Sequence, residues 1–337
     1  MAINMKFIVL LSTIFMMANG HCGPAKPQEA QIRIRTTFNI KNSFCGIYTN
    51  EVLGLNNRKS AYFGRGFGIS STNSMLFLEN GKNSITLEIG ALGWFSDENI
   101  DDTERATFNP QSSCKIELVS FENKKKVILA SIEVVIDDHG RPTLMNNSNS
   151  ITTQKKVLAE QIEPGHFDPE YFDDKYFPKN MEVYKFTQEV YIRKIPIWKW
   201  QNATRFEGSI TQMEALRNAY LDMAKIITSG NRDSLKKYDE VALNAWSVTT
   251  GDSEDEILES QYPRSDLEGG KLKINPVNWN DYAVRVMNKG RLVQLYNKSK
   301  PSFSPLSYYK IDENGEDYLG SFAPIFSLIN GEFIPVI

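Results

Sequence analysis

Few residues in this chain are equipped for covalent chemistry. Its 337 residues include three histidines and three cysteines. His21 lies near the start, His139 in a turn-rich stretch and His166 in a connector of acids and aromatics, so no two share a local spacing. H-E-x-x-H, G-x-S-x-G, the phosphate-binding P-loop and C-x-x-C are all missing. A Ser/His/Asp or Cys/His site would have to be assembled from His139 or His166 at long range. His166, Asp168, Glu170, Asp173 and Asp174 cluster in HFDPEYFDD, but the run lacks the alternation and late bidentate acid of a calcium loop. These acids read as solvated, and neither a metal nor a cofactor is expected. Glycoside hydrolysis needs only two carboxylates at a set separation, which any acidic chain can offer. A carboxylate-dependent hydrolase is therefore the lesser reading, and no catalytic residue is assigned.

Residues suited to binding are easier to find. Trp198 and Trp200 flank Lys199, and on a strand they face the same way. Pro196 just before them marks an edge or a bend. Stacked indoles there could grip a sugar ring or anchor a protein partner, against the competing reading that both are core. Asp252, Glu254 and Asp255 lie in GDSEDE, where acids suit the start of a helix and also offer a face to a basic partner. Gly64-Arg65-Gly66-Phe67-Gly68 lacks dinucleotide-loop spacing and reads as a turn where backbones approach closely.

The compartment follows from the first residues. Lys6 precedes an apolar run, Phe7 to Met17, and Ala18-Asn19-Gly20 supplies small residues at a cleavage position. Residues 1–20 are read as an export signal, too short to span a bilayer. Cleavage after Gly20 leaves His21 first. Lipidation at Cys22 is the alternative, and it departs from the lipoprotein pattern because His21 stands directly before the cysteine. The expected location is the periplasm, the alternatives being a lipoprotein anchored through Cys22 or a secreted protein. In such a compartment Cys45 and Cys114, both in one β-rich region, are expected to pair as a disulfide, with Cys22 left over. Removing residues 1–20 leaves a net charge of about −4, which argues against nucleic acid.

The elements that position these residues fall into two regions. From residue 31 to 140, alternating runs such as QIRIRTTF, SITLEIG, SSCKIELVSF and KVILASIEVVID are separated by Asn, Asp and Gly turns. This predicts an antiparallel β-sandwich domain. Met75–Phe77 reads as a strand ending at the Asn80-Gly81 turn. Residues 141–180 read as a linker and connector. Residues 181–337 read as an α+β domain: a strand, two or three helices, then hairpins turning at Asn288-Lys289-Gly290 and Asn330-Gly331. Thr211 and Ser253 are expected to open capping boxes, and Asp233 to cap the helix between them.

This element order resembles the NTF2-like superfamily, which implies a curved sheet wrapped round a long helix over residues 181–337. The whole, exported and without catalytic motifs, resembles periplasmic immunity proteins of interbacterial toxin systems. That resemblance implies a non-catalytic protein binding an incoming toxin. The alternative is an envelope glycan or peptidoglycan module using Trp198 and Trp200.

Overall fold

The structure, a computed structural model, describes residues 32–122, 125–145, 152–166, 176–267, 272–311 and 317–337. Ala18, Gly20 and Cys22, and the connector acids Asp168, Glu170, Asp173 and Asp174, lie outside them.

Alternation becomes strands over the first half. In chain order these elements are β1 (Arg33–Lys41), β2 (Ser43–Thr49), β3 (Val52–Asn56), α1 (Arg58–Tyr62), β4 (Gly68–Thr72), β5 (Gly81–Ala91), α2 (Asp102–Arg105), β6 (Ser113–Glu122), β7 (Lys125–Ile136), β8 (Pro142–Leu144), β9 (Thr152–Leu158) and β10 (Glu182–Ile192). On β1 the buried residues are Ile34, Thr36, Phe38 and Ile40, every second position, as a sheet with one wet face requires. One sheet orders β4-β1-β6-β7-β8 and the other β3-β2-β5-β10-β9. They pack around a core that includes Phe38, Ile47, Leu87, Ile116 and Phe186.

Two expectations shift here. Residues 141–180, read as a linker, carry β8 and β9. The strand read as opening the second domain at 181 is β10, which pairs along β5 with Phe186 opposite Leu87. Alternation marks a strand without naming its sheet, and this partner is far away in sequence. The run Ser74–Phe77 is a buried 3₁₀ turn and not a strand.

The second half comprises α3 (Ile210–Thr228), α4 (Arg232–Tyr238), α5 (Glu240–Thr250), α6 (Glu254–Gln261), α7 (Arg264–Leu267), β11 (Lys273–Ile274), β12 (Tyr282–Met287), β13 (Leu292–Asn297), β14 (Leu306–Ile311), β15 (Asp317–Phe322), β16 (Phe326–Ile329) and β17 (Glu332–Pro335). On α3 Leu216, Tyr220, Met223 and Ile227 are buried, the face that steps of three and four predict. Its cap is Ser209, which accepts from the Gln212 N–H at 3.3 Å, so Thr211 lies inside the helix. Asn231, not Asp233, caps α4. Ser253 and Glu256 form the expected capping box on α6. Both hairpin turns hold their Asn and Gly residues at positive φ: Asn330 at 52° and Gly331 at 90° in the last.

These strands make two further sheets, β11-β14-β15 and β12-β13-β16-β17. A second core joins Tyr220 and Met223 of α3 to Leu295, Phe326 and Phe333. The fold is thus mixed α/β, with antiparallel sheets, a sandwich first and helices with further strands after it. Trp246 packs against both cores. Among the described residues no helix is long and apolar enough to cross a membrane.

Candidate functional site

A cleft of about 450 Å³ opens where the helices meet the rim of the sandwich. Leu53, Thr72, Asn73 and Phe77 come from the sandwich, Asp239, Trp246, Gln261 and Tyr262 from the helices, and Ser321–Ile325 from the end of β15 and its connection to β16. Asn73 donates to Thr249 at 2.7 Å and ties the rim to α5.

Local sequence explains how Asp239 reaches this cleft. It is the last cap of α4 and the first of α5, at φ −94° and ψ 7°. Its N–H donates to the Leu235 carbonyl and its own carbonyl accepts from Leu243, both at 2.9 Å, so backbone bonds hold it from both sides. A residue at this position ordinarily turns its side chain back onto the helix amides. Asp239 makes no such bond. Trp246 follows seven residues later, two turns on and on the same face. Tyr262 ends α6, its ring 4.9 Å from that of Phe322.

Asp239 is 2% exposed. Among the described residues its carboxyl makes no hydrogen bond and no ion pair, and burial pushes its pKa up to about 7. The Tyr262 phenol is pushed up by its own burial and then by the nearby Asp239 charge. The Trp246 indole N–H is buried without an acceptor. The contrast with Glu88 is informative. Burial raises that carboxyl too, but Tyr48 donates to it at 2.6 Å and Lys185 stands 3.9 Å away. Buried acids that serve only the fold have partners, and among the described residues Asp239 has none. Chemically the cleft can receive a group that brings positive charge or hydrogen-bond donors. Among the described residues its lining has one carboxyl side chain and no His, Cys or Lys.

The residues read from sequence fare unevenly. Trp198 and Trp200 are 5% and 1% exposed, so the exposed-edge reading is overturned. A 3₁₀ turn over Lys199–Asn202 replaces the strand, and the indole N–H groups donate inward to the Met75 and Leu76 carbonyls. Lys199 alone of the three is exposed. Asp255 pairs with Lys236 at 2.7 Å, Glu254 accepts from Asn244 at 3.4 Å, and Asp252 stays exposed. Cys45 on β2 and Cys114 on β6 do come together, from opposite sheets, but as two free, fully buried thiols and not a bridge. Burial and then contact with Cys45 raise the Cys114 thiol. His139 is exposed in the β7–β8 turn. His166 stands 3.2 Å from Asp281 and 3.4 Å from Glu163. No group of three or more metal-ligating side chains converges among the described residues.

Sequence reasoning missed the cleft. An acid between two helices looks like any solvent-facing cap. No family of known proteins, no curated protein and no solved structure matches the chain.

Proposed function

We propose that this chain is an exported, non-catalytic binding protein of the bacterial envelope that engages a protein partner through the cleft beside Asp239. One observation carries the reading: a buried carboxyl that among the described residues has neither ion pair nor hydrogen bond, lining an open cleft with aromatic walls. Leaving such a group unpaired costs free energy, and an incoming ligand that pairs it recovers that cost. Catalysis has less support, since among the described residues the cleft offers one carboxyl side chain where glycoside hydrolysis needs two. The partner of the immunity reading is a toxin encoded beside the gene. For the second half we retain the NTF2-like reading, supported by α3 lying against β11 and β17.

The test is size-exclusion chromatography of the purified chain with each exported product of the adjacent reading frames. A one-to-one complex is expected, and Ala323→Trp, which fills the cleft mouth from an exposed position, abolishes it. If no neighbour binds, and deleting the gene leaves the cell insensitive to all of them, the reading fails. Retention on purified cell wall, lost in the same variant, would move the function to glycan binding.

A further inference from the structure

The cleft also specifies what it would receive, an argument that rests on the binding role proposed above. Charge comes first. Among the described lining residues the titratable side chains are Asp239 and Tyr262, and Tyr238 at the end of α4 also feels the Asp239 charge. No basic group among the described lining residues neutralises the carboxylate once it forms. The complement of an unpaired buried carboxylate is a cation.

Shape narrows the choice. Trp246, Tyr262, Phe322 and Phe77 present ring surface, and Leu53 and Ile325 add aliphatic surface. A bare metal ion gains nothing from such walls and meets one carboxyl side chain among the described lining residues. A cation on a methylene stem uses both features: the stem packs on the rings and the head reaches the acid. Long-range charge points the same way. Over residues 210–267 there are eleven acidic side chains against six basic ones, an excess larger than that of the whole chain, whose net charge is −3. A basic surface approaching these helices is attracted before it docks.

We infer that the cleft receives a lysine or arginine side chain presented by the partner protein, with its cationic head against the Asp239 carboxylate. The carboxyl must give up its proton to solvent for that pair to form, so binding near or below neutral pH releases a proton. Apparent affinity rises with pH as the ionised fraction grows, about tenfold from pH 6 to pH 8 for a group titrating near 7.

The experiment titrates the full chain with n-butylammonium, n-butylguanidinium and acetyl-lysine-methylamide by calorimetry at pH 6 and pH 8. Saturable binding is expected, about tenfold tighter at the higher pH, with heats below pH 7 that vary with the buffer's ionisation heat. Asp239→Asn should weaken it by at least about tenfold. The change is near-isosteric, and thermal unfolding of the variant checks that the fold is intact. Absence of saturable binding, or equal binding by a folded Asp239→Asn chain, overturns the inference. Tighter binding of a free diamine than of the lysine amide overturns the assignment to a partner's side chain. If Ala323→Trp loses the partner while Asp239→Asn keeps it, this inference falls and the binding role stands.

Discussion

Trp200 donates its indole N–H to the carbonyl of Leu76 over 3.1 Å, and Trp198 repeats the bond to Met75 at 3.0 Å. The residues that looked most suited to gripping a ligand instead close a buried turn in the sandwich. Arg291 covers the Trp200 ring, with its guanidinium carbon 5.1 Å from the ring centre. Trp200→Phe keeps a ring but strands the carbonyl, at a cost of about 1–3 kcal/mol. Trp200→Ala also opens a cavity and should cost about 3–5 kcal/mol. Urea denaturation measures both, and wild-type midpoints in the two variants would refute the structural role.

Burial lifts the Asp239 carboxyl from 3.8 to about 7, so the native chain keeps a proton that the unfolded chain loses. The stability this contributes is fully present below about pH 4 and is lost as pH rises to about 7. Asparagine does not titrate. Asp239→Asn should therefore gain on wild type between pH 4 and pH 8, by up to about 4 kcal/mol. Thermal unfolding across that range gives the answer. Parallel profiles would mean that Asp239 has a partner.

Gly64 and Gly66 lie in one glycine-rich turn for different reasons. Gly66 lacks room: a Cβ would sit 2.6 Å from the Ser43 nitrogen and 2.5 Å from a Leu92 methyl. Gly66→Ala should cost about 3 kcal/mol through overpacking. Gly64 has space around it but a φ of +68°, so Gly64→Ala should cost only about 1 kcal/mol. Reversal of that order in chemical denaturation would contradict the close approach of backbones at Gly66.

Cys45 and Cys114 should resist alkylation in the folded, reduced chain, because both are fully buried. Chain recovered from an oxidising compartment is expected to carry them as a disulfide joining the two sheets, with each thiol giving up its hydrogen to a disulfide-bearing oxidase. Non-reducing mass spectrometry would then read about 2 Da less. Reduction should lower stability by about 4 kcal/mol in the loop-entropy account. Alkylation of both Cys45 and Cys114 after denaturing that material would rule the bridge out.

Much of the architecture was legible because it is written in short-range patterns. Period-two burial on β1, the helical face of α3, the capping box at Ser253 and the Asn-Gly turns need only neighbours along the chain. Even the meeting of Cys45 with Cys114 followed from their sharing one β-rich region.

Which strands pair and which side chains are buried depends on contacts between distant segments, and those the tertiary structure alone decided. β10 crosses the expected boundary because Phe186 finds Leu87, not because its alternation differs from that of other strands. Trp198 and Trp200 turn inward because two carbonyls far upstream need donors. Asp239 reads as an ordinary cap until the sandwich rim, α6 and the β15–β16 connection close round it. Desolvation, which turns a common surface acid into a group that titrates near neutrality, comes from everything packed around it and has no local signature in the sequence.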